Sequence, residues 1–209
     1  MTIDRKESFT CWQCKKEFEG ALFCPACNSL QSPPTDYFTF FGLPRYLSID
    51  IEKLQAKFYD LSRKLHPDKY SRKSESERAN STAATAVLND GWRTLKNPIS
   101  RAEYLLSQEG MEIGEQRSKD VPPELLEEVF ELNMALEELR DGDQSAKVGL
   151  AEARTKFQTM QSASDAELEK LFTKYDGEPG PPTLAPIRAV LNRRRYISNL
   201  IRDVDKELS

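Results

Sequence analysis

Residues 51–69 read IEKLQAKFYDLSRKLHPDK, and this stretch decides the fold. Ile51, Leu54, Phe58, Leu61 and Leu65 recur at spacings of three and four, the period of a helix with one apolar face. Lys53, Lys57, Arg63 and Lys64 fall off that stripe, where they can face solvent. Ser48 or Asp50 supplies an oxygen to cap the helix start. Pro67 ends the helix, because the residue before a proline is pushed out of the α region. The resulting turn, His66-Pro67-Asp68-Lys69, holds the only histidine of the chain, so no scheme that needs two histidines applies.

Upstream, Asp36-Tyr37-Phe38-Thr39-Phe40-Phe41-Gly42-Leu43 predicts a short helix with Asp36 at its N-cap and Gly42 at its stop. Downstream, a helix is predicted from about Glu75 to Lys96. Ala79, Ala83, Ala84, Val87, Leu88, Trp92 and Leu95 are its expected apolar face, and the small alanines allow close approach of an antiparallel partner. Asn97-Pro98 interrupts the pattern, and Arg101-Ala102-Glu103-Tyr104-Leu105-Leu106 begins a further short helix.

The C-terminal half carries three more helical patterns. Residues 110–120 are polar and read as a link between units. Pro122-Pro123 opens a helix from about Glu124 to Arg140, with Leu125, Leu126, Val129, Leu132, Leu136 and Leu139 apolar. After an Asp141-Gly142-Asp143 turn, a longer helix runs from about Ser145 to Tyr175, with Phe157, Met160, Leu168, Leu171 and Phe172 as core candidates. Residues 177–182 form a breaker cluster. A last helix spans about Leu184 to Leu208 through Ile187, Val190, Leu191, Ile197, Leu200, Ile201 and Val204. Short loops between three such helices imply a three-helix bundle. The first of them has more apolar residues than one face needs. Leu126, Phe130 and Met134 lie four apart, a second stripe that either completes the core or stays exposed for a partner.

All four cysteines lie in the first 27 residues, as Cys11-x2-Cys14 and Cys24-x2-Cys27. A Cys-x2-Cys turn lets two thiolates reach one ion, and two such turns complete a tetrahedral site with Zn–S bonds of ~2.3 Å. The predicted site is structural zinc, with a small hairpin turning at Gly20 and Phe18 and Phe23 covering one side. Disulfides, an iron–sulfur cluster and redox shuttling are the alternatives. So short a segment buries little core, so the metal would fold it outright. Ser32-Pro33-Pro34-Thr35 reads as a stiff linker between this segment and the helices.

The charge balance narrows the function classes. At net charge −4 the chain has no general nucleic-acid signature. Residues 45–73 carry eight Lys/Arg against four Asp/Glu, while residues 109–140 carry ten Asp/Glu against three Lys/Arg. Either these are solvated faces, or the two halves have different partners. No apolar run approaches the ~20 residues of a membrane span. Residues 1–10 include Asp4 and Glu7 and match neither a secretory signal nor a transit peptide, so the expected location is the bacterial cytoplasm, or an organelle after processing. As an enzyme site, His66 and Asp68 lack a nucleophile motif and a Gly-rich phosphate loop.

The order Asp36-Tyr37-Phe38…Phe41-Gly42-Leu43, His66-Pro67-Asp68-Lys69, the Ala-rich helix with Trp92, Asn97-Pro98 and Arg101-Ala102-Glu103-Tyr104-Leu105-Leu106 resembles the HscB-type J-protein family. His66-Pro67-Asp68 alone marks any J-domain, and read in isolation it is a helix-ending turn. The Arg101–Leu106 run is the more specific feature. The resemblance covers residues 36–209, and the tetracysteine segment is similar to one found on some members only. It implies an all-α protein with a zinc-knuckle-like segment at 1–32, a J-domain at 36–108 and a scaffold-binding three-helix domain at 120–209. It also implies a co-chaperone of iron–sulfur cluster assembly rather than an enzyme. Such a protein stimulates the ATPase of a 70-kDa heat-shock chaperone and delivers an iron–sulfur scaffold protein to it. By the same resemblance Lys57, Arg63, Lys64, His66, Pro67 and Asp68 face the chaperone, and Leu126, Phe130, Glu131, Met134, Arg195 and Tyr196 hold the scaffold. Glu127 departs from the family, which usually has a methionine there. The competing reading is a zinc-ribbon nucleic-acid-binding or assembly module with a helical body. A thiol oxidoreductase would need a strand-rich thioredoxin-like pattern that the sequence lacks.

Overall fold

In the computed structural model, which describes residues 8–19, 22–111 and 125–208, Asp50 starts helix α2 (Ile51–Leu65). Its carboxylate accepts the Lys53 N–H at 3.0 Å, satisfying one of the helix's unpaired first-turn donors. Asp36 does the same for α1 (Tyr37–Phe41), accepting from Phe38 and Thr39. Gly42 closes α1 at φ +58°, the left-handed conformation that favours glycine. Both caps match the sequence reading.

Helix α3 (Glu75–Lys96) packs back on α2. Its buried face is Ser81, Ala84, Leu88, Gly91 and Leu95, spaced three, four, three and four. The expected Ala79 and Ala83 are exposed instead, since they fall outside this register. Gly91 lets α1 settle against α3: a Cβ there would lie 2.9 Å from the Phe41 ring and 3.1 Å from that of Tyr37. Trp92 stacks on Phe58 with centroids 5.1 Å apart.

Helix α4 (Pro98–Gln108) begins earlier than expected. Pro98 occupies the first turn, where a missing N–H is harmless, and Asn97 Oδ1 accepts from Ile99 and Ser100. The distinctive run at 101–106 has a packing explanation. Arg101 is buried and donates to the Leu47 carbonyl at 2.9 Å and to the Leu95 carbonyl at the end of α3. Ala102, Leu105 and Leu106 are buried, and the Tyr104 hydroxyl donates to Asp36 at 3.1 Å.

The chain divides into two compact units, Met1–Leu105 and Leu106–Ser209. The second contains the expected bundle of α5 (Leu126–Arg140), α6 (Ala146–Gly177) and α7 (Pro181–Leu208). The breaker between α6 and α7 is shorter than predicted, because Pro181 and Pro182 sit inside the first turn of α7. Leu125, Leu132, Leu150, Phe157, Tyr196, Ile197 and Val204 form one buried cluster. Arg194 with Asp165, Arg193 with Glu167 and Arg154 with Asp205 join α6 to α7. The expected opening of α5 at Pro122-Pro123 and the polar link at residues 112–120 lie outside the described residues.

The tetracysteine segment belongs to the first unit. Strands β1 (Ser8–Thr10) and β2 (Glu17–Glu19) pair antiparallel, with Phe9 opposite Phe18. The β1–β2 turn is the Cys11–Lys16 loop, and the turn expected at Gly20 lies outside the described residues. Pro33 and Pro34 do not hold the segment away from the helices: Asn80 Nδ2 of α3 donates to the Leu30 carbonyl at 3.0 Å, and Leu30 is fully buried.

Candidate functional sites

Helix α2 delivers its last carbonyl, that of Leu65, to α3, where Ser81 Oγ donates to it at 2.7 Å and Thr85 Oγ1 at 3.4 Å. The chain then leaves the helix at His66, and residues Pro67–Tyr70 make one 3-10 turn. Tyr70 turns inward and its hydroxyl donates to the Lys64 carbonyl at 3.3 Å. Between these anchors His66, Pro67 and Asp68 are all exposed. His66 Nδ1 accepts the Asp68 N–H at 3.3 Å, which sets the ring's orientation. The loop is thus held from beneath and open above.

The basic residues of α2 divide. Arg63 and Lys64 are exposed near the loop, Lys64 paired with Asp60 at 2.8 Å. Lys57 is engaged within the fold: its ammonium donates to the Phe41 carbonyl at 2.8 Å and the Gly42 carbonyl at 3.1 Å, closing the end of α1. Sequence reasoning missed Ser81 and Thr85. Counting back from Leu95 by fours and threes leads to Ser81, a polar residue on an apolar stripe, and that was the available signal.

The four cysteines come together as a candidate metal centre. All four Sγ atoms lie within 4.8 Å of one another. Cys11–Cys27 and Cys14–Cys24 are 3.6 and 3.7 Å apart. A tetrahedron with ~2.3 Å Zn–S bonds has edges of ~3.8 Å, whereas a disulfide needs ~2.05 Å, so the set fits one ion and not two disulfides. Burial opposes ionisation of Cys11, but hydrogen bonds from the Cys14 N–H and the Ser29 hydroxyl outweigh it and bring the thiol down to about 5. The Ser29 hydroxyl and N–H likewise lower Cys27. Cys14 receives the Lys16 N–H, but burial and the neighbouring sulfurs push it up to about 11. Such a cluster ionises in part and resists further negative charge, a resistance that a bound cation removes.

On α5 the stripe of Leu126, Phe130 and Met134 is exposed, at 56, 65 and 48%. Glu131 lies beside it and pairs with Lys156 at 3.5 Å. Tyr196 does not join this surface. It is 6% exposed and packs in the bundle core, so the expectation that its side chain is presented to a partner is corrected. Its place on α7, next to Ile197 and facing α5 and α6 residues of the cluster, gives the ring an interior site. Arg195 is half-buried.

Residues 121–205 match the family model for the HSCB C-terminal oligomerisation domain. Over 196 residues the chain is 31% identical to the human iron-sulfur cluster co-chaperone protein HscB, covering 91% of this chain and 78% of that protein. The chain belongs to the HscB co-chaperone family. The co-chaperone protein HscB homolog of Vibrio vulnificus (strain YJ016) is 40% identical over 141 residues, 67% of this chain and 75% of that one. The crystal structure of human HscB superposes with a TM-score of 0.72 at 28% identity, covering 94% of this chain and 97% of the other. Chaperone HscB from Vibrio cholerae gives 0.58 at 28% identity over 83 and 99%. The helical architecture is therefore that of the HscB co-chaperone family.

Proposed function

We propose that this HscB-family chain stimulates the ATPase of a 70-kDa heat-shock chaperone and brings to it the scaffold protein on which iron–sulfur clusters are built. The observation that carries this reading is the His66-Pro67-Asp68 loop, exposed to a partner yet fixed through Leu65 and Tyr70. An exposed loop on a rigid support is a recognition element, because little ordering is left to be done on binding. Arg63 and Lys64 add positive charge beside it for an acidic partner surface. The α5 stripe is the proposed seat of the scaffold, with Glu131 at its edge. Four thiolates that serve a metal require a reducing compartment, and zinc is the proposed ion because the all-sulfur set closes the coordination sphere.

The test is steady-state ATPase turnover of the cognate chaperone with wild type and His66→Gln. The variant is expected to abolish stimulation with helical circular dichroism unchanged, since the ring is exposed. Full stimulation by the variant would overturn the proposal.

A further inference from the structure

The two cysteine turns are copies of one backbone. In the first, Cys11 N–H donates to the Lys16 carbonyl at 2.9 Å and Lys15 N–H to the Cys11 carbonyl at 3.0 Å. In the second, Cys24 N–H donates to the Ser29 carbonyl at 3.0 Å and Asn28 N–H to the Cys24 carbonyl at 2.8 Å. Lys15 and Asn28 hold the same left-handed φ, +61° and +58°. Thr10 pairs with Glu17 as Phe23 pairs with Leu30. The backbone therefore treats both halves alike, and the side chains do not. Where the first turn has exposed Lys16 and apolar Phe18, the second has Ser29 and Gln31, both buried and both polar.

Buried polar groups need partners, and here the partners end at sulfur. Gln31 Oε1 accepts the Trp12 N–H at 3.2 Å, which fixes which end of the amide faces inward. Gln31 Nε2 then donates to the Ser29 carbonyl at 2.9 Å, to Ser29 Oγ at 2.7 Å and towards Cys11 Sγ at 3.4 Å. With its oxygen accepting from Gln31, the Ser29 hydroxyl has its own hydrogen left to give. Its nearest sulfur is Cys27 Sγ at 3.1 Å, with Cys11 Sγ at 3.4 Å.

We infer that Ser29 and Gln31 are positioning residues of the metal centre, a relay from the Trp12 amide that holds the Cys11 and Cys27 sulfurs and spreads their negative charge. The inference rests on reading the four cysteines as a metal site. Four thiolates around a divalent cation leave two net negative charges in a buried cluster, and donors to sulfur stabilise that state. The relay serves one sulfur from each turn, so it ties the two halves together as well as orienting ligands within them.

The test loads the full chain with Co²⁺ and Zn²⁺ and measures affinity by chelator competition, together with the sulfur-to-cobalt charge-transfer band. Ser29→Ala and Gln31→Leu are each expected to weaken binding by roughly 10- to 100-fold, the usual effect of removing an outer-shell partner. Their bands should move to lower energy, because a thiolate without its donor is a better electron source. Ser29→Thr keeps a hydroxyl and should restore both readouts, while Lys16→Ala at the equivalent position should change neither. A fold defect alone would not move the band and be rescued by threonine. Wild-type affinity and an unmoved band in both variants would overturn the inference while leaving the metal site standing. A wild-type chain that takes up neither metal would overturn both.

Discussion

Asp36 ties three parts of the first unit together at one carboxylate. It caps α1, accepts the Tyr104 hydroxyl of α4 and pairs with Arg45 at 3.3 Å. Burial disfavours its charge, but the hydrogen bonds from Thr39, the Arg45 guanidinium and Tyr104 prevail, and its pKa falls below the ordinary 3.8. Tyr104 moves the other way: burial and the Asp36 carboxylate hold it protonated, pushed up to about 12, so it remains the donor. Asp36→Asn keeps an oxygen that can cap α1 but loses the charge that Tyr104 and Arg45 face, and should cost about 1 kcal/mol, the scale of making charge-assisted hydrogen bonds neutral. The folded pKa is depressed, so this stabilisation is present above pH 3.8 and is lost as pH falls through the folded value. Urea denaturation at neutral pH should therefore separate wild type from the variant. The gap should narrow progressively below pH 3.8, and a pH-independent gap would mean that the charge contributes nothing. Among single residues the sequence showed Asp36 as a cap but not as a hub, because its tie to Tyr104 spans 68 positions and leaves no periodic trace.

At the scale of the helix, α5 illustrates what a period can and cannot show. Leu126, Phe130 and Met134 were visible as a second apolar stripe, and only packing could decide whether it was covered. It is exposed, whereas Leu132 and the neighbouring Leu125 are the buried residues. Leu126→Ala with Phe130→Ala should therefore shift stability by roughly 0.5 kcal/mol or less, as surface changes do. Each should nonetheless weaken scaffold binding by about thirty-fold, at the ~2 kcal/mol typical of interface hot spots, and the pair by more. Tyr196→Ala should behave oppositely, costing about 3–5 kcal/mol as a core aromatic truncation. Melting temperature and scaffold Kd measured on the same preparations separate the two classes. A large loss of stability in the α5 pair would place that stripe in the core. Helix α3 shows the same ambiguity from the other side. Alanine is equally at home on either face, so Ala79 and Ala83 give no signal of side, while Ser81 and Gly91, which hold the true register, do not look like core residues by type. Caps and prolines were better guides, since their chemistry is positional: Asp36, Gly42 and Asp50 sit where the sequence put them, and only the tolerance of Pro98, Pro181 and Pro182 for a first turn moved the boundaries.

Across the whole molecule, what matters about the tetracysteine cluster is where it sits. A stiff linker at Ser32-Pro33-Pro34-Thr35 would make the tetracysteine segment a separate bead. The structure seats that segment in the first unit. The Leu30 carbonyl accepts from Trp12 Nε1 at 2.8 Å, inside the segment, and from Asn80 on α3. Asn80 adjoins Ser81, which holds the Leu65 carbonyl directly before His66. The path from the cysteine cluster to the exposed loop is therefore short, running through hydrogen bonds at Leu30 and Leu65 and the adjacent residues Asn80 and Ser81 of α3. A ligand that binds only the folded form stabilises it by RT ln(1 + [L]/Kd), about 4 kcal/mol at a thousandfold excess over Kd. Stripping the metal with a chelator should then lower amide protection in the segment and also in α3 near Asn80 and at Leu65–Tyr70. Residues 125–208, which form their own core, should keep theirs. Hydrogen-exchange mass spectrometry with and without chelator makes the comparison, and Asn80→Ala should confine the loss to the segment. If protection at Leu65–Tyr70 is unchanged when the chelator is added to wild type, the segment is merely adjacent to α2 and α3 and does not brace them.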